Sequence, residues 1–227
     1  MERMSTASYT VHKLQIDAIY TDFEKAFDKV PHQRLISKLY SYKINKIIID
    51  WIANFIKDRK FRVRVNGSYS EWQNVTSGIP QGSVLGPLLF LIYINDLMDC
   101  YNRIYVFADD AKIYQHIHCP EDCKLLQHAM TDLQTWSQKW LLSLNINKCC
   151  VVSYGRSVDK SIRYTLVDHN NQEVALERND KVKDLGVWFD EKLSFREHIQ
   201  DKINKAYIML GIIRRNFKYL TLPILLF

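Results

Sequence analysis

The amino-acid sequence predicts an α+β fold, in which short strands joined by tight turns share a core with amphipathic helices. Residues 61–65 alternate between apolar and basic side chains and lead into Asn66-Gly67, which is the pattern of a β-hairpin. Apolar residues at helical spacing between positions 126 and 144 predict a long amphipathic helix. The hydrophobic fraction of 47% over 227 residues suits one domain with a packed core, or one domain with a small appendage.

The same two patterns recur along the rest of the chain. A β-leaning run at 18–21 ends at Asp22, and helical spacing then continues until Pro31 interrupts it. The other predicted elements, in chain order, are two helices within 33–56 joined near Asn45, a half-buried strand at 61–65, a loop rich in Gly, Pro and Gln at 77–87, a buried helix at 88–97, a hairpin around Asp109-Asp110, a strand at 149–154, a hairpin at 164–176 turning at Asn170-Asn171, a strand at 182–189 and a final helix at 199–213.

The charge distribution suits a polyanionic partner. The formal net charge is +6, and residues 195–227 carry six basic against two acidic side chains, so +4 of the excess lies at one end. A solvated helix face is the alternative explanation of this basic end.

The cysteine content and the hydropathy pattern indicate an intracellular protein. Five cysteines without the spacing of a disulfide scaffold, and no signal-peptide pattern, predict reduced thiols. The longest apolar run, residues 88–94, is far shorter than the roughly 20 residues of a membrane helix. We therefore expect no membrane role and a location in the nucleus, the cytoplasm or both.

Three aspartates are the candidate catalytic residues. Asp22 ends a predicted strand, and Asp109 and Asp110 lie at the tip of a predicted hairpin. Two adjacent carboxylates repel each other, and a divalent cation removes that penalty. Carboxylate oxygens are the ligands that Mg²⁺ prefers, so the pair suits a metal site. Turn chemistry is the alternative, because Asp is common in tight turns.

Three ordered segments carry a family resemblance. Residues 20–30 (YTDFEKAFDKV), 77–87 (SGIPQGSVLGP) and 107–110 (FADD) resemble motifs A, B and C of the reverse transcriptases of non-LTR retrotransposons, especially the jockey group of insects. Residues 144–148 (LNINK) and 183–187 (KDLGV) resemble motifs D and E of the same family. Together the motifs cover the chain from about residue 18 to about residue 219.

The resemblance implies a reverse transcriptase palm and an RNA-directed DNA polymerase activity. In such a palm, an antiparallel sheet is backed by helices and followed by a primer-grip hairpin and the first thumb helix. Asp22, Asp109 and Asp110 would bind two Mg²⁺ ions, with Mn²⁺ as a possible substitute. RNA template, DNA primer and deoxynucleoside triphosphates would be the partners. Viral RNA-dependent RNA polymerases share the paired aspartates, but Phe27 and the amino-acid sequence of motif B point away from that class.

The resemblance also assigns residues to the nucleotide and the template. Phe23 and Phe27 would contact the nucleotide, and Phe27 would exclude a ribose 2′-hydroxyl. Gln81 and Gly82 would approach the template base and the nucleotide. A core role for Phe27 and a plain connecting loop at 77–87 are the alternatives. Asp28, inside the helix after Asp22, is expected to make a structural hydrogen bond instead of binding metal.

The last two motifs imply roles at the leaving group and the primer. Lys148 resembles the motif D lysine that is proposed as a general acid toward pyrophosphate. A surface lysine is its alternative. Leu185 and Gly186 would contact the primer end.

A cluster of His116, His118, Cys119 and Cys123 superficially resembles a zinc site. Neither the two-residue spacing of the histidines nor the lack of a second cysteine pair fits the usual zinc sites. We therefore assign no zinc to this cluster.

The motifs divide the chain into a palm at 1–160, a primer-grip hairpin region at 161–194 and the start of a thumb at 195–227. In the family, a fingers region precedes motif A, and Arg3 and Lys13 match none of its motifs. An alternative function follows: a truncated, catalytically inactive remnant that acts at most as a nucleic-acid-binding or protein-binding module.

Overall fold

The computed structural model describes residues 15–217, apart from the side chain of Cys100, and the chain divides into two compact units between Arg178 and Asn179. Arg3, Lys13 and the last ten residues of the predicted thumb start lie outside the described residues. The α-helices of the described part are α1 Ala26–Lys29, α2 His32–Ser41, α3 Lys46–Ile56, α4 Leu85–Ile94, α5 Pro120–Trp140 and α6 Arg196–Asn216. A short 3₁₀ helix, Asn95–Cys100, directly follows α4.

The strands are short in the middle of the chain and longer on either side of it. They are β1 Gln15–Thr21, β2 Lys60–Phe61, β3 Arg64–Val65, β4 Ser68–Tyr69, β5 Gln73–Asn74, β6 Ile104–Phe107, β7 Asp110–Ile117, β8 Cys150–Gly155, β9 Thr165–Val167, β10 Glu173–Ala175, β11 Glu177–Arg178, β12 Lys181–Asp184 and β13 Val187–Asp190. The predicted α+β class is confirmed.

Five strands of the first unit form one sheet in the order β11-β8-β1-β7-β6. Strand β1 lies at its centre and pairs antiparallel with β7 and β8, and β6 pairs antiparallel with β7. The predicted antiparallel sheet is therefore confirmed for these four strands. Strand β11 adds a parallel edge beside β8, which the sequence did not indicate because two residues show no periodicity.

One face of this sheet forms the core of the first unit. Ile19 of β1, Ile113 of β7 and Val151 of β8 are buried in the same hydrophobic cluster as Phe90 of α4 and Leu133 of α5. Successive side chains of a strand point to opposite faces, so the odd-numbered residues of β1 and β7 face the helices. The even-numbered residues lie on the second face.

Two of the helices, α3 and α5, begin where the sequence supplies capping groups. Asn45 accepts a hydrogen bond from the backbone N–H of Ile47 at 2.9 Å and starts α3. At the start of α5, Asp122 accepts from the backbone N–H groups of His118 and Cys119 at 2.9 and 3.0 Å. The bond from His118 has the largest effect, and together these bonds outweigh the effect of burial and lower the pKa of Asp122 from 3.8 to about 2.

Three predicted elements differ from the structure. The segment at 61–65 is not half-buried, because Phe61 and Val65 are 52% and 62% exposed on small two-stranded ladders. Helix α5 ends before Leu144, because Leu141 adopts a left-handed conformation with φ 58°. The predicted strand at 182–189 is a hairpin of β12 and β13, which turns at Leu185 and Gly186 with φ 45° and 83°.

The second unit contains the β12–β13 hairpin and α6. Asp190 closes the turn after β13 by accepting hydrogen bonds from the backbone N–H groups of Ser194 and Phe195. Within the described residues, α6 has no buried side chain. No helix of the described part is long and apolar enough to cross a membrane.

The loop at 77–84 is attached to α1 through the backbone. The N–H groups of Gly78 and Ile79 donate to the carbonyls of Val30 and Phe27, each at 2.8 Å. Gly78 has φ 93°, and a Cβ atom built there would lie 2.6 Å from the carbonyl oxygen of Asp28. Only glycine permits this close approach, because both the conformation and the space exclude a side chain.

A buried carboxylate sets the register of β1. Asp17 is fully buried and accepts hydrogen bonds from Gln15 at 2.8 Å, from the Tyr164 hydroxyl at 2.7 Å and from Ser153. Arg178 of β11 lies 3.8 Å from its Oδ1 atom. A one-residue slip of β1 would move the carboxylate to the other face and away from Ser153, Tyr164 and Arg178, which belong to other segments.

We predict that Asp17→Ala lowers the free energy of unfolding by about 3 kcal/mol, because it leaves the Arg178 guanidinium, whose side chain is only 15% exposed, without its countercharge. Urea denaturation followed by circular dichroism measures the change. Asp50→Ala is the matched control, since Asp50 forms only an exposed pair with Lys46 and should cost less than about 1 kcal/mol. Equal small losses for both variants would contradict the role assigned to Asp17.

We predict that Gly78→Ala destabilises the chain by more than Gly67→Ala does. Both glycines have positive φ, and that strain costs about 1–2 kcal/mol. Only at Gly78 does an added Cβ collide with the backbone, whereas nothing lies within 4 Å of it at Gly67. The same denaturation experiment compares the two, and equal losses would show that the loop shifts away from α1 without cost.

Candidate active site

The sheet register brings Asp22 and Asp110 to the same end of two neighbouring strands. Thr21 is the last residue of β1 and pairs with Ala111 of β7, and its hydroxyl donates to the Ala111 carbonyl at 2.9 Å. Asp22 directly follows Thr21 and Asp110 directly precedes Ala111. Continued one residue beyond β1, the alternation of side chains assigns both even-numbered carboxylates to the second face of the sheet, away from the helices.

The turn between β6 and β7 carries the other aspartate. Phe107 pairs with Asp110, which leaves Ala108 and Asp109 in a two-residue turn. Ala108 has φ 52°, the left-handed conformation that such hairpin turns use. The predicted hairpin is confirmed, and it places two carboxylates in sequence at the end of the strand that pairs with β1.

A second segment holds the end of β1 from the other side. The backbone N–H of Asn145 donates to the Asp22 carbonyl at 2.8 Å, and the N–H of Glu24 donates to the Ser143 carbonyl at 2.9 Å. Phe23 and Leu144 form an isolated antiparallel bridge between these bonds. The motif D segment is therefore joined to motif A by main-chain bonds, which leave its side chains available.

Lys148 lies next to Asp22. Its Nζ atom is 3.3 Å from Oδ2 of Asp22, with side-chain exposures of 67% and 28%. The contact is an ion pair outside hydrogen-bonding geometry, so the buried Oδ2 atom has no hydrogen-bond partner. An ion pair with so exposed a lysine contributes little stability, so the ammonium group can leave the carboxylate at small cost.

A cavity of about 420 Å³ opens beside Asp22. Its lining includes Glu24, Lys25, Lys29 and Asn145, which the sequence pattern did not single out. A hydrogen bond from Lys29 lowers the pKa of the Glu24 carboxyl. For Glu24, Lys25 and Lys29 the signal was present in motif A, where charged side chains follow Asp22 at close spacing, and Asn145 lies in motif D.

The buried side of this site is apolar. Phe23 is 2% exposed and packs against Trp136, with ring centroids 6.2 Å apart. The Phe23 ring is therefore a core residue, while Phe23 also contributes to the lining of the cavity beside Asp22. Its contact with a nucleotide stays a prediction. Burial also raises the pKa of the Cys149 thiol to about 11.

Phe27, Gln81 and Gly82 line a second cavity of about 430 Å³. The Phe27 ring stacks on the fully buried Phe90 ring, with centroids 4.4 Å apart at an angle of 21°. Phe27 thus both packs against the core and contributes to the cavity wall, so its two sequence-based interpretations are compatible. Core packing restricts the ring to one position.

The hydrogen bond expected for Asp28 is present. Its Oδ1 atom accepts from the side-chain amide of Gln81 at 3.0 Å, and its carbonyl oxygen accepts from the Ser77 hydroxyl at 2.9 Å. Asp28 therefore connects the motif A helix to the motif B loop. This contact orients Gln81 at the cavity.

Leu185 and Gly186 belong to the second unit. They form the turn of the β12–β13 hairpin, and Leu185 is 60% exposed there. Lys181 and Lys183 lie over the Trp188 ring, with Nζ atoms 5.7 and 5.9 Å from its centroid. The predicted primer-grip residues are thus at an exposed tip with basic neighbours, and their contact with a primer stays a prediction.

The carboxylates have the chemistry of a Mg²⁺ site. A buried carboxylate oxygen without a donor, such as Oδ2 of Asp22, is costly, and a divalent cation would satisfy it. Between residues 15 and 217, no three His, Cys, Asp or Glu side chains are grouped so that they could hold a metal by themselves. Mg²⁺ is usually bound by one or two carboxylates together with substrate phosphates, so these residues fit an ion that binds with a nucleotide.

Comparison with known proteins agrees with this geometry. The family model described as reverse transcriptase (RNA-dependent DNA polymerase) matches residues 6–220. The chain is 31% identical over 210 residues to the probable RNA-directed DNA polymerase from transposon BS of Drosophila melanogaster, covering 84% of this chain and 22% of that protein. It is also 31% identical over 194 residues to the RNA-directed DNA polymerase from mobile element jockey of Drosophila funebris, covering 79% and 20%. The chain therefore spans about a fifth of the length of these relatives.

A solved structure shows the same fold. The apo telomerase from Candida tropicalis, truncated from its C-terminal domain, aligns with a TM-score of 0.51 and 15% identity, covering 80% of this chain and 35% of that one. The resemblance to reverse transcriptases of the jockey group is confirmed by the relatives. Since the family model matches nearly the whole chain, this protein belongs to the reverse transcriptase (RNA-dependent DNA polymerase) family.

Proposed function

We propose that this chain is the palm part of an RNA-directed DNA polymerase, which adds deoxynucleotides to a primer 3′-hydroxyl on an RNA template. The observation that carries the proposal is the register of β1 with β7, which brings Asp22 to the same strand end and sheet face as Asp110. Family membership supports the activity, and the buried Oδ2 atom of Asp22 supports a cation there.

In the proposed reaction, the primer 3′-oxygen attacks the α-phosphorus of a deoxynucleoside triphosphate. A phosphodiester bond forms, the bond to the β-phosphate bridging oxygen breaks, and pyrophosphate leaves. Two Mg²⁺ ions, or Mn²⁺ in their place, would lower the pKa of the 3′-hydroxyl and stabilise the leaving group. Asp22, Asp109 and Asp110 are the residues that would hold them.

The remaining side chains would orient the reactants. Phe27, fixed by Phe90, would stand against the sugar and exclude a 2′-hydroxyl. Gln81, held by Asp28, and the adjacent Gly82 would approach the template base and the nucleotide. Lys148 would exchange its weak pair with Asp22 for a phosphate oxygen and donate a proton to pyrophosphate.

The chain would divide by function along its length. The palm, assigned to 1–160, carries motifs A to D, and 161–194 includes the β12–β13 hairpin, whose Leu185-Gly186 tip would contact the primer end. Residues 195–227 would start the thumb, where basic side chains of α6 meet duplex phosphates. Such a polymerase would work in the nucleus or the cytoplasm.

We predict that Asp109→Ala abolishes Mg²⁺-dependent primer extension, lowering it at least 100-fold, because the variant loses a metal ligand. The assay extends oligo(dT) on poly(rA) with the purified chain, with Mn²⁺ in a parallel reaction. Asp50→Ala removes an exposed carboxylate on α3 and should leave extension unchanged. If the parent chain shows no metal-dependent extension, the catalytic proposal fails and the inactive binding module becomes the better description.

We also predict that Phe27→Val raises the use of ribonucleotides relative to deoxynucleotides by roughly tenfold, because the smaller side chain leaves space for a 2′-hydroxyl. The ratio is measured within one protein sample, so it does not depend on how much of the variant is folded. Phe55→Val makes the same substitution outside both cavities and should keep the parent ratio. An unchanged ratio in Phe27→Val would assign the ring to the core alone.

A further inference from the structure

A surface rich in basic and aromatic residues lies between α3 and the motif B loop. Every residue from 57 to 74, named here the hairpin surface, is exposed. It contains five basic side chains against two acidic ones, Asp58 and Glu71. The basic side chains are Lys57, Arg59, Lys60, Arg62 and Arg64. Within residues 15–217, none of these five forms an ion pair.

Aromatic rings alternate with these cations. The guanidinium of Arg62 lies 4.0 Å from the centroid of the Tyr69 ring and 4.6 Å from that of the Trp72 ring. Arg64 lies 5.3 Å from the Tyr69 centroid. Tyr69 and Trp72 remain 52% and 58% exposed beside the cations, and Phe61 is 52% exposed. The rings therefore position the arginines and still present aromatic area to solvent.

The backbone gives this surface a defined shape. β2 pairs with β5, and β3 pairs with β4 across the Asn66-Gly67 turn. Between the two ladders, the backbone N–H of Ser70 donates to the Val63 carbonyl and the N–H of Val63 donates to the Ser70 hydroxyl, each at 2.9 Å. The rings and arginines are thus presented by a hydrogen-bonded ribbon.

We propose that the hairpin surface binds single-stranded RNA, with bases stacking on Tyr69 and Trp72 and phosphates contacting Arg62 and Arg64. Base–aromatic stacking with nearby cations is how proteins hold unpaired strands, and the bases of a duplex are not available for it. A protein partner would have to neutralise five unpaired cations, whereas a phosphate backbone does so at every nucleotide. The choice of RNA rests on the proposed function, in which the template ahead of the site is the unpaired strand.

The position of the surface in the chain supports this partner. Strand β5 ends at Asn74, and only two residues separate it from Ser77 and the loop that lines the Phe27 cavity. The backbone N–H of Val75 donates to the Arg59 carbonyl at 2.8 Å, so the ribbon closes directly before that loop. An RNA strand bound to the ribbon is therefore bound by the segment that continues directly into the loop proposed to contact the template.

The test is fluorescence anisotropy with the whole chain and fluorescein-labelled (rU)15. Trp72→Ala and Tyr69→Ala should each weaken binding roughly tenfold, because each removes a stacking platform. Trp72→Phe keeps a ring and should bind within about threefold of the parent. Trp51→Ala is the matched control, since Trp51 is equally exposed (56%) on α3 outside the hairpin surface, and it should bind like the parent.

A salt titration tests the phosphate contacts. The double variant Arg62→Gln/Arg64→Gln should reduce the slope of log Kd against log salt by about 1.4, or about 0.7 per lost contact. Lys124→Gln/Lys139→Gln removes the same charge from α5 and should keep the parent slope. If both aromatic variants bind (rU)15 like the parent, the proposal is overturned. If they lose affinity only for the DNA strand (dT)15, measured in parallel, RNA is overturned as the occupant.

The two proposals can fail separately. Asp109→Ala should bind (rU)15 like the parent, since Asp109 lies outside the hairpin surface. If the parent chain shows no primer extension, the catalytic proposal is rejected. If Trp72→Ala still lowers RNA affinity in that case, the RNA-binding surface is supported. Circular dichroism of each variant verifies that the fold is intact. If the aromatic variants lose tenfold affinity for an RNA duplex as well as for (rU)15, base stacking is rejected.

Discussion

The alternation of side chains along β1 is the constraint on which the rest of the first unit depends. Ile19 on one face closes the core under the helices, and Asp22 at an even position belongs to the opposite face. A strand can satisfy both requirements in only one register, because a shift by one residue exchanges its faces. The Asp17 network selects that register, since Ser153, Tyr164 and Arg178 bind the carboxylate from neighbouring segments.

The other parts of the candidate site are attached to this strand through the backbone. Asn145 binds the carbonyl of Asp22, and Gly78 and Ile79 bind carbonyls at the end of motif A. Main-chain bonds tolerate many side chains, so the attachment does not use the side chains of Lys148 and Gln81, which contact Asp22 and Asp28 instead. Gly78 is the exception, because the backbones approach so closely that a Cβ has no space.

Buried charges show how much the tertiary structure adds to the sequence pattern. Lys38 is 2% exposed, pairs with Asp96 and lies 3.9 Å from the centroid of the Trp140 ring. Helical periodicity identifies α2 but does not reveal that its one lysine is buried, so it cannot show that the Lys38 side chain reaches Asp96 of the 3₁₀ helix and Trp140 of α5. The same holds for Asp17, which in the sequence directly precedes the predicted strand at 18–21.

Most of the fold was predictable because its signals are local. Turn residues located the Asp109-Asp110 hairpin, and apolar spacing located α2 to α6. The error at 61–65 arose where contacts distant in sequence decide, because Phe61 alternates like a residue of a half-buried strand but stays 52% exposed. The sequence also did not show that the Phe23 ring packs on Trp136. The motif order alone determined which residues were candidates for the site and the family to which the chain belongs. Only the tertiary structure decided that Asp22 and Asp110 share one end and one face of the sheet, because strand register is set by contacts between segments about ninety residues apart.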